Sequence, residues 1–234
     1  MGRGVPLCMQ GENSQERYYF AFSFFKVDPK WRWMADLAKQ ESAKEVENIL
    51  ENTNCMYRSY STLGIRDDAD FMLWFAAKTV EEIQNAVSKL YRTVFGKYII
   101  PSRTFFSVTR PSMYAKTGLV PAFVSGKEAL KYTIVYPFIK SRKWYRTPTV
   151  ERQAMMDEHI AIGNKYPKVI LNTTYSFGIH DEDFMLAFET DDLIKFQDLI
   201  IDLRTTRVSE YVTEDTPMIV CVKKDIVPVI QSLG

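Results

Sequence analysis

His159, within the stretch MMDEHIAIGNKY at residues 155–166, is one of only two histidines in this chain. Imidazole is a common metal ligand, but a histidine bonded to a backbone carbonyl in a core is equally familiar. Zinc and non-haem iron sites usually need several protein ligands, and the sequence shows no cluster of histidine, cysteine and carboxylate residues at suitable spacing. A haem needs one axial ligand from the protein, because its macrocycle supplies the remaining nitrogens. If His159 binds a metal, haem is therefore the group that requires the fewest ligands from the protein.

Helical spacing places His159 on an apolar face. At 100° per residue, the residues within about 60° of it are Arg152, Met155, Met156, Ile162, Gly163 and Tyr166. Gly163 costs a helix roughly 1 kcal/mol relative to alanine, which would be explained by a flat group lying against this face. A core histidine beside a chance glycine is the alternative.

The chain repeats itself. YSTLGIRDDADFMLWF at 60–75 returns as YSFGIHDEDFMLAF at 175–188, and Gly64 matches Gly178 at an offset of 114 positions. FSFFKVDPKW at 22–31 returns as YPFIKSRKW at 136–144, so both matches support one duplication. Each copy is predicted to contain a strand, a helix, a hairpin around the matched glycine and a second helix behind a Thr or Asp cap. Two such α+β units can close their antiparallel sheets into a barrel.

Each half of the duplication serves as a control for the other. An offset of 114 relates His159 to Glu45, Tyr136 to Phe22 and Lys140 to Lys26. The second half thus has an imidazole and a phenol where the first half has neither. This one-sided gain of polar chemistry predicts a site in the second half.

Composition excludes several classes of protein. Hydrophobic residues make up 46% and charged residues 25%, with a net charge of +1, which is typical of a globular protein. We expect neither nucleic acid nor membrane as a partner, because the chain has no basic run and no apolar run long enough to span a bilayer. The start lacks the apolar core of a secretory signal, so a cytoplasmic protein with reduced cysteines is predicted.

The motifs YPFIKSRKWY, MMDEHIAIGNKYP and NTTYSFGIHDEDFMLAFETDD, followed by TP, resemble the chlorite dismutase family, especially its coproheme decarboxylases. The resemblance covers most of the second half closely and reaches the first half through the repeat. It implies two tandem ferredoxin-like repeats forming an α+β barrel of the dimeric α/β type, and usually a ring of five subunits. The predicted organisation is a flexible arm (1–17), a repeat without haem (18–125) and a haem-binding repeat (126–234).

The resemblance also implies roles for individual residues. His159 falls on the proximal ligand of the haem iron, Tyr136 on the tyrosine that decarboxylases use as a radical relay, and Lys140 on the lysine that holds a propionate. The remaining predicted pocket residues are Trp144, Met155, Gly163, Leu171 and, as a weaker match, Thr216. A strand tyrosine sealing the barrel, a solvated lysine and a core tryptophan are the alternatives for Tyr136, Lys140 and Trp144.

Two departures from the family pattern concern the distal side of the pocket. Leu171 stands where chlorite dismutases have an arginine and one branch of decarboxylases a glutamine. Thr109 stands before an Arg-Pro pair where some decarboxylases place a histidine, although a water or Thr109 itself could move the proton. We therefore do not expect chlorite dismutation. His180, the second histidine, is predicted to be an exposed turn residue.

The predicted function is hydrogen-peroxide-dependent oxidative decarboxylation of coproheme III to haem b. In that reaction the iron porphyrin is both substrate and redox centre, and loss of carbon dioxide from a propionate leaves a vinyl group. One rival is a haem b peroxidase or catalase-like enzyme in which Tyr136 is a bystander. The other is a non-enzymatic haem carrier or a structural barrel.

Overall fold

The computed structural model of the protein describes residues 17–112, 114 and 121–234. The first repeat contains β1 (Tyr19–Val27), α1 (Asp36–Glu51), β2 (Met56–Ser61), β3 (Phe71–Ala77), α2 (Val80–Arg92) and β4 (Ile99–Val108). The second contains β5 (Tyr132–Lys140), α3 (Arg142–Arg146), α4 (Thr149–Gly163), β6 (Ile170–Tyr175), β7 (Phe184–Thr190), α5 (Leu193–Arg204), β8 (Val212–Glu214), β9 (Ile219–Lys223) and α6 (Ile226–Gln231). The predicted N-terminal arm lies outside the described residues, except for Arg17.

The described strands form one antiparallel sheet in the order β7-β6-β4-β1-β3-β2-β9-β5-β8. A further pairing of β7 with β5 closes the sheet into a barrel, with β8 attached to β5. Within the repeats, the orders β4-β1-β3-β2 and β9-β5-β7-β6 correspond strand by strand, as expected for two ferredoxin-like units. The predicted fold class, an α+β barrel built from two ferredoxin-like repeats, is confirmed. The boundary predicted at residues 125 and 126 stays a prediction.

The helices that follow the hairpins begin at the predicted caps. The side chain of Thr79 accepts a hydrogen bond from the backbone N–H of Glu82, whose carboxylate accepts one from Thr79 N–H in return. Asp192 accepts from the backbone N–H groups of Ile194 and Lys195. These contacts satisfy amides that have no partner inside the helix, and they fix where α2 and α5 start.

The two repeats meet along two short seams. At one seam β4 pairs with β6 through Val108 and Tyr175, and at the other β2 pairs with β9 through Tyr60 with Lys223 and Ser61 with Val222. Side chains inside the barrel complete the join, since one buried cluster contains Phe22 and Trp74 of the first repeat together with residues of the second. Side chains therefore join the repeats inside the barrel and, where α6 packs in one cluster with α1, outside it as well.

The outer faces of the two half-sheets differ in how they are covered. In the first repeat, one large cluster joins α1 and α2 to the sheet, with Val46, Leu50, Phe71 and Leu90 fully or almost fully buried. In the second repeat, the buried residues divide into two smaller clusters, one around Tyr136 and one around Trp144. The space between the sheet and α4 is therefore incompletely filled.

The offset between the repeats is not constant. Gly64 and Gly178, at the predicted offset of 114, both have left-handed backbones, with φ of 74° and 72°. In the first strands, however, Asp70 accepts from Val27 N–H at 2.8 Å, whereas Asp183 accepts from Lys140 N–H at 3.0 Å. These equivalent contacts relate β1 to β5 by 113 positions.

The predicted counterparts of Tyr136 and Lys140 are therefore wrong. Tyr136 pairs with Leu186 as Ser23 pairs with Leu73, so Ser23 is the counterpart of Tyr136, and Val27 rather than Lys26 is that of Lys140. A shift of one residue moves a strand side chain to the opposite face of the sheet. Phe22 accordingly points into the barrel, whereas Tyr136 lies on the outer face.

Within the described part of the chain, the structure contains no helix that is both long and apolar enough to cross a membrane. Cys55 and Cys221 are buried free thiols, and Cys8 lies outside the described residues.

Candidate active site

A cavity of about 690 Å³ lies between the outer face of the second half-sheet and helices α4 and α5. The sheet contributes Tyr136, Leu171, Thr173, Tyr175, Leu186 and Phe188, and the helices contribute Met156, His159, Ile160, Ile200 and Leu203. Its size and its mostly apolar walls with a few polar groups are typical of sites for small molecules and cofactors. In the first repeat the space beneath α1 is filled by core side chains such as Val46 and Leu50. An open groove lined by Ser23 and Ile83 remains there between the sheet and α2.

His159 lies in the wall of this cavity, on α4. Burial, followed by the positive charge of Lys140, lowers the pKa of its imidazole from 6.5 to about 4, so the ring is neutral at physiological pH. Its Nδ1 atom is buried and has no hydrogen-bond partner among the described residues. The backbone carbonyl expected for a core histidine is thus not found at this atom. A neutral imidazole facing a cavity is suited to binding a metal.

The described residues include no group of three or more histidine, cysteine or carboxylate side chains able to hold a metal ion. A metal at His159 would therefore have to arrive with ligands of its own. An iron porphyrin meets this condition, and the residues present fit it.

Lys140, at the end of β5, lies beside Trp144. Its Nζ atom is 3.7 Å from the centroid of the Trp144 ring and 3.8 Å from the sulfur of Met156. Burial, followed by the positive charge of Arg152, lowers the pKa of Lys140 to about 7, and Asp183 opposes the shift. A lysine held this way is poised to gain charge when an anion enters the cavity.

Tyr136 lies in the middle of β5 and is 3% exposed. Its ring stacks on Phe188, with 5.9 Å between centroids and 8° between planes. Burial raises the pKa of the phenol, the charge of Asp215 raises it further, and Arg204 opposes the shift. Tyr136 therefore stays protonated at any physiological pH. It can give up an electron together with its proton, but it cannot act as a phenolate base.

Two of the other predicted pocket residues, Trp144 and Leu171, line the cavity. Trp144 lines it and packs against Tyr211 and Tyr114. Leu171, on β6, also lines it and is 40% exposed.

Met155, Gly163 and Thr216 are not among the residues that line the cavity, so their contact with a porphyrin stays a prediction. Met155 is buried with Trp144, and the neighbouring Met156 faces the cavity in its place. The cavity lies on the side of His159 that carries Met156, roughly 100° round the helix from Met155. Gly163 ends α4 with open space at the position of a side chain, and Thr216 is exposed.

Two predictions outside the cavity also need correction. Thr109 pairs with Tyr18, donating its N–H to the carbonyl and accepting from Tyr18 N–H at its hydroxyl, so it does not face the cavity. His180 is not a free turn residue, since it is partly buried and its Nδ1 lies 2.8 Å from the carboxylate of Glu182.

Several polar residues of the site were not predicted from the sequence. Arg204 and Asp215 form an ion pair of 3.3 Å in the cavity wall near Tyr136. Tyr145, also in the wall, donates to Asp183 at 2.6 Å, and the same carboxylate oxygen accepts the Lys140 amide. The recurring Asp-rich turns DDAD and DED were the signal that could have revealed Asp183 as the anchor of this strand end.

Comparisons with known proteins agree with this architecture. A family model described as chlorite dismutase matches residues 39–224. A coproheme decarboxylase from Mycolicibacterium smegmatis (strain ATCC 700084 / mc(2)155) is 38% identical over 159 residues, which is 68% of this chain and 68% of that protein.

Solved structures are similar in fold. Chlorite dismutase from Candidatus Nitrospira defluvii in complex with imidazole has a TM-score of 0.84 at 22% identity, covering 92% of this chain and 94% of that one. A haem-binding protein from Thermus thermophilus has a TM-score of 0.81 at 21% identity, covering 93% and 95%. At these identities the likeness establishes the fold.

Proposed function

Because the chain belongs to the chlorite dismutase family, we propose that it converts coproheme III to haem b by oxidative decarboxylation with hydrogen peroxide. The observation that carries the proposal is the meeting of His159, Lys140 and Tyr136 in the wall of one cavity. These residues come from β5 and α4, and the 38% identical relative is a coproheme decarboxylase. The chain is thus a haem-binding oxidoreductase that acts on an iron porphyrin.

The bound iron porphyrin and peroxide would supply the oxidising power, while the protein binds, orients and controls protons. One peroxide gains two electrons and two protons, one of which comes from the solvent, and becomes two waters. One propionate loses two electrons, carbon dioxide and a proton from its β-carbon, which leaves a vinyl group. Two such rounds convert coproheme III to haem b.

Each residue then has a definite task. His159 offers the iron a neutral nitrogen, and its low pKa keeps protons from competing for that nitrogen down to a pH of about 4. Lys140 holds a propionate carboxylate by a charge-assisted hydrogen bond. Tyr136 gives one electron and its phenolic proton to the oxidant. The tyrosyl radical that remains then takes a hydrogen atom from the propionate β-carbon. Trp144 supports Lys140 through the cation–π contact.

Leu171 argues against chlorite as the substrate. An isobutyl group offers neither charge nor hydrogen bond to an oxyanion, so nothing at this position would orient chlorite or retain a hypochlorite product. The segment after β4 contributes polar groups to this wall through Arg110, Ser112 and Tyr114. A five-subunit ring and a cytoplasmic location remain predictions from the resemblance and the sequence.

The direct test is to mix apo-protein with iron coproporphyrin III, titrate hydrogen peroxide and follow the porphyrin by mass spectrometry and absorbance. We expect stepwise loss of two carbon dioxide molecules, with one peroxide consumed for each. Tight binding with bleaching but no change in mass would instead assign the peroxidase or carrier function. Absence of binding would make His159 a structural residue.

Porphyrin binding is expected to depend on the protonation of Lys140. Its pKa is about 7 in the empty cavity, and a bound carboxylate raises it, so binding takes up a proton above pH 7. The affinity for iron coproporphyrin III should change little between the pKa of His159, about 4, and pH 7, and it should fall by up to about tenfold for each unit above pH 7. Equilibrium titrations at several pH values measure this slope.

Lys140→Met is the matched control for that titration. It removes the charge and keeps an unbranched apolar chain, so we expect weaker binding with a flat pH profile between 7 and 9. Arg152 and Asp183, the charged neighbours that modify the effect of burial on the Lys140 pKa, stay in place. Equal slopes in wild type and variant would assign the proton to another group.

A further inference from the structure

Three polar side chains meet inside the otherwise largely apolar barrel. Arg58 on β2, Asn172 on β6 and Glu189 on β7 are 9%, 2% and 0% exposed. Nη1 of Arg58 lies 3.1 Å from Oε2 of Glu189, and Nδ2 of Asn172 donates to Oε1 of the same carboxylate at 2.9 Å. We refer to these three residues as the barrel triad. The triad joins a strand of the first repeat to two strands of the second.

The barrel triad also holds residues 121–130, which lead into β5. The N–H of Ala122 donates to Oδ1 of Asn172 at 2.6 Å, and the N–H of Leu130 donates to Oε2 of Glu189 at 3.3 Å. Nη2 of Arg58 donates to the carbonyl of Lys127. Each triad member therefore has one hydrogen bond to this segment and at least one to another member.

Aromatic packing strengthens the same attachment. Phe123, 6% exposed, packs edge-on against Trp74 with 5.0 Å between ring centroids. The guanidinium carbon of Arg58 lies 4.7 Å from the centroid of the Phe123 ring. Arg58 thus contacts the segment at Phe123, within the turn that follows Pro121, and at Lys127, directly after that turn.

The held segment and the triad both reach the cavity wall. Pro121 and Asn172 line the cavity, and Leu171 directly precedes Asn172 along β6. We propose that Arg58, which does not line the cavity, is a positioning residue for the porphyrin site. Through Glu189 and Lys127 it fixes the wall formed by Pro121 and Asn172. This inference rests on the proposed function.

A purely structural role explains the arrangement less well. Buried ion pairs add little stability compared with apolar residues of similar volume, whereas the fork of an arginine fixes two acceptors at once. Arg58 uses its two terminal nitrogens on two different partners, one in the barrel wall and one in the segment. Lysine could keep the charge but could not hold both acceptors in that geometry.

The test uses the full-length double variant Arg58→Met/Glu189→Gln, which removes both charges and so leaves none buried without a partner. Hydrogen exchange of the Ala122 and Leu130 amides in apo-protein reports on the segment, and titration with iron coproporphyrin III reports on the site. We expect both amides to exchange at least about tenfold faster, and Kd and KM to rise about tenfold, with kcat within about twofold of wild type.

Arg66→Met is the matched control, because it also removes an arginine of an ion pair in the first repeat. Arg66 pairs with Asp68 and lies away from the segment, so neither exchange nor affinity should change. If the double variant does not fold, Arg58→Lys takes its place. We expect its Kd to rise, because a single ammonium group cannot hold both acceptors of the guanidinium group.

Unchanged exchange at both amides, or faster exchange with an unchanged Kd, would overturn the inference, and so would an unchanged Kd in folded Arg58→Lys. In these cases wild-type protein still binds and converts the porphyrin, so the proposed function stands. Wild-type protein that does not bind iron coproporphyrin III would overturn the proposed function as well.

Discussion

Tyr136→Phe protein is expected to bind iron coproporphyrin III as tightly as wild type and to release almost no carbon dioxide. The phenol is the one oxidisable group lost, whereas the stacking on Phe188 is kept. Loss of a directly participating group usually lowers kcat by at least about a hundredfold, and this is the effect we expect on decarboxylation. Mass spectrometry of the porphyrin after peroxide addition measures it.

Tyr175→Phe is the control for that substitution. Tyr175 also lines the cavity on the same sheet, so its loss removes a phenol of the same wall without removing the proposed relay. We expect it to retain most of the decarboxylation. Turnover of coproheme by Tyr136→Phe at the wild-type rate would remove Tyr136 from the mechanism, and a comparable loss in both variants would make its effect unspecific.

His159→Ala protein is expected to remain folded and to bind iron coproporphyrin III at least about a hundredfold more weakly. The fold should tolerate the change, because the substitution deletes a buried Nδ1 atom that has no partner among the described residues and enlarges an existing cavity. Thermal unfolding and a porphyrin titration followed at the Soret band measure the two effects. Added imidazole should restore much of the absorbance spectrum by occupying the vacated space.

The chain supplies its own control in the second histidine. His180 bonds to Glu182 in the hairpin between β6 and β7 and does not line the cavity, so His180→Ala should leave the porphyrin affinity unchanged. Wild-type affinity and spectrum in His159→Ala protein would show that the iron is held by another residue.

Local sequence signals predicted turns and helices well, whereas the barrel was predicted from the repeat and from the family resemblance. Gly64 and Gly178 mark turns that need a left-handed backbone, and both hairpins form around them. The helix that carries His159 and the apolar face on which it lies also follow from residue spacing alone. These features depend on neighbours within a few positions, which is the range over which a sequence is most informative.

Features that depend on a single-residue register or on distant contacts could not be predicted. The offset of 114 relates Tyr136 to Phe22, which points into the barrel, whereas the strand pairing relates it to Ser23. This difference of one position decides whether the side chain lies inside the barrel or on its outer face. Met155 and Met156 are adjacent, yet only the structure decides which of them meets the cavity. The Arg58–Glu189 pair joins residues 131 positions apart, so no local pattern could reveal it.

The filled core of the first repeat has a consequence for how such a site could arise. A single ferredoxin-like unit that hollowed out the space beneath its helices would lose the packing that keeps it folded. Here the hollow unit shares a continuous closed sheet and one interior with a twin whose core beneath α1 is filled. Duplication thus separated two selective demands, stability and ligand binding, and allowed one copy to specialise while the other served as its scaffold.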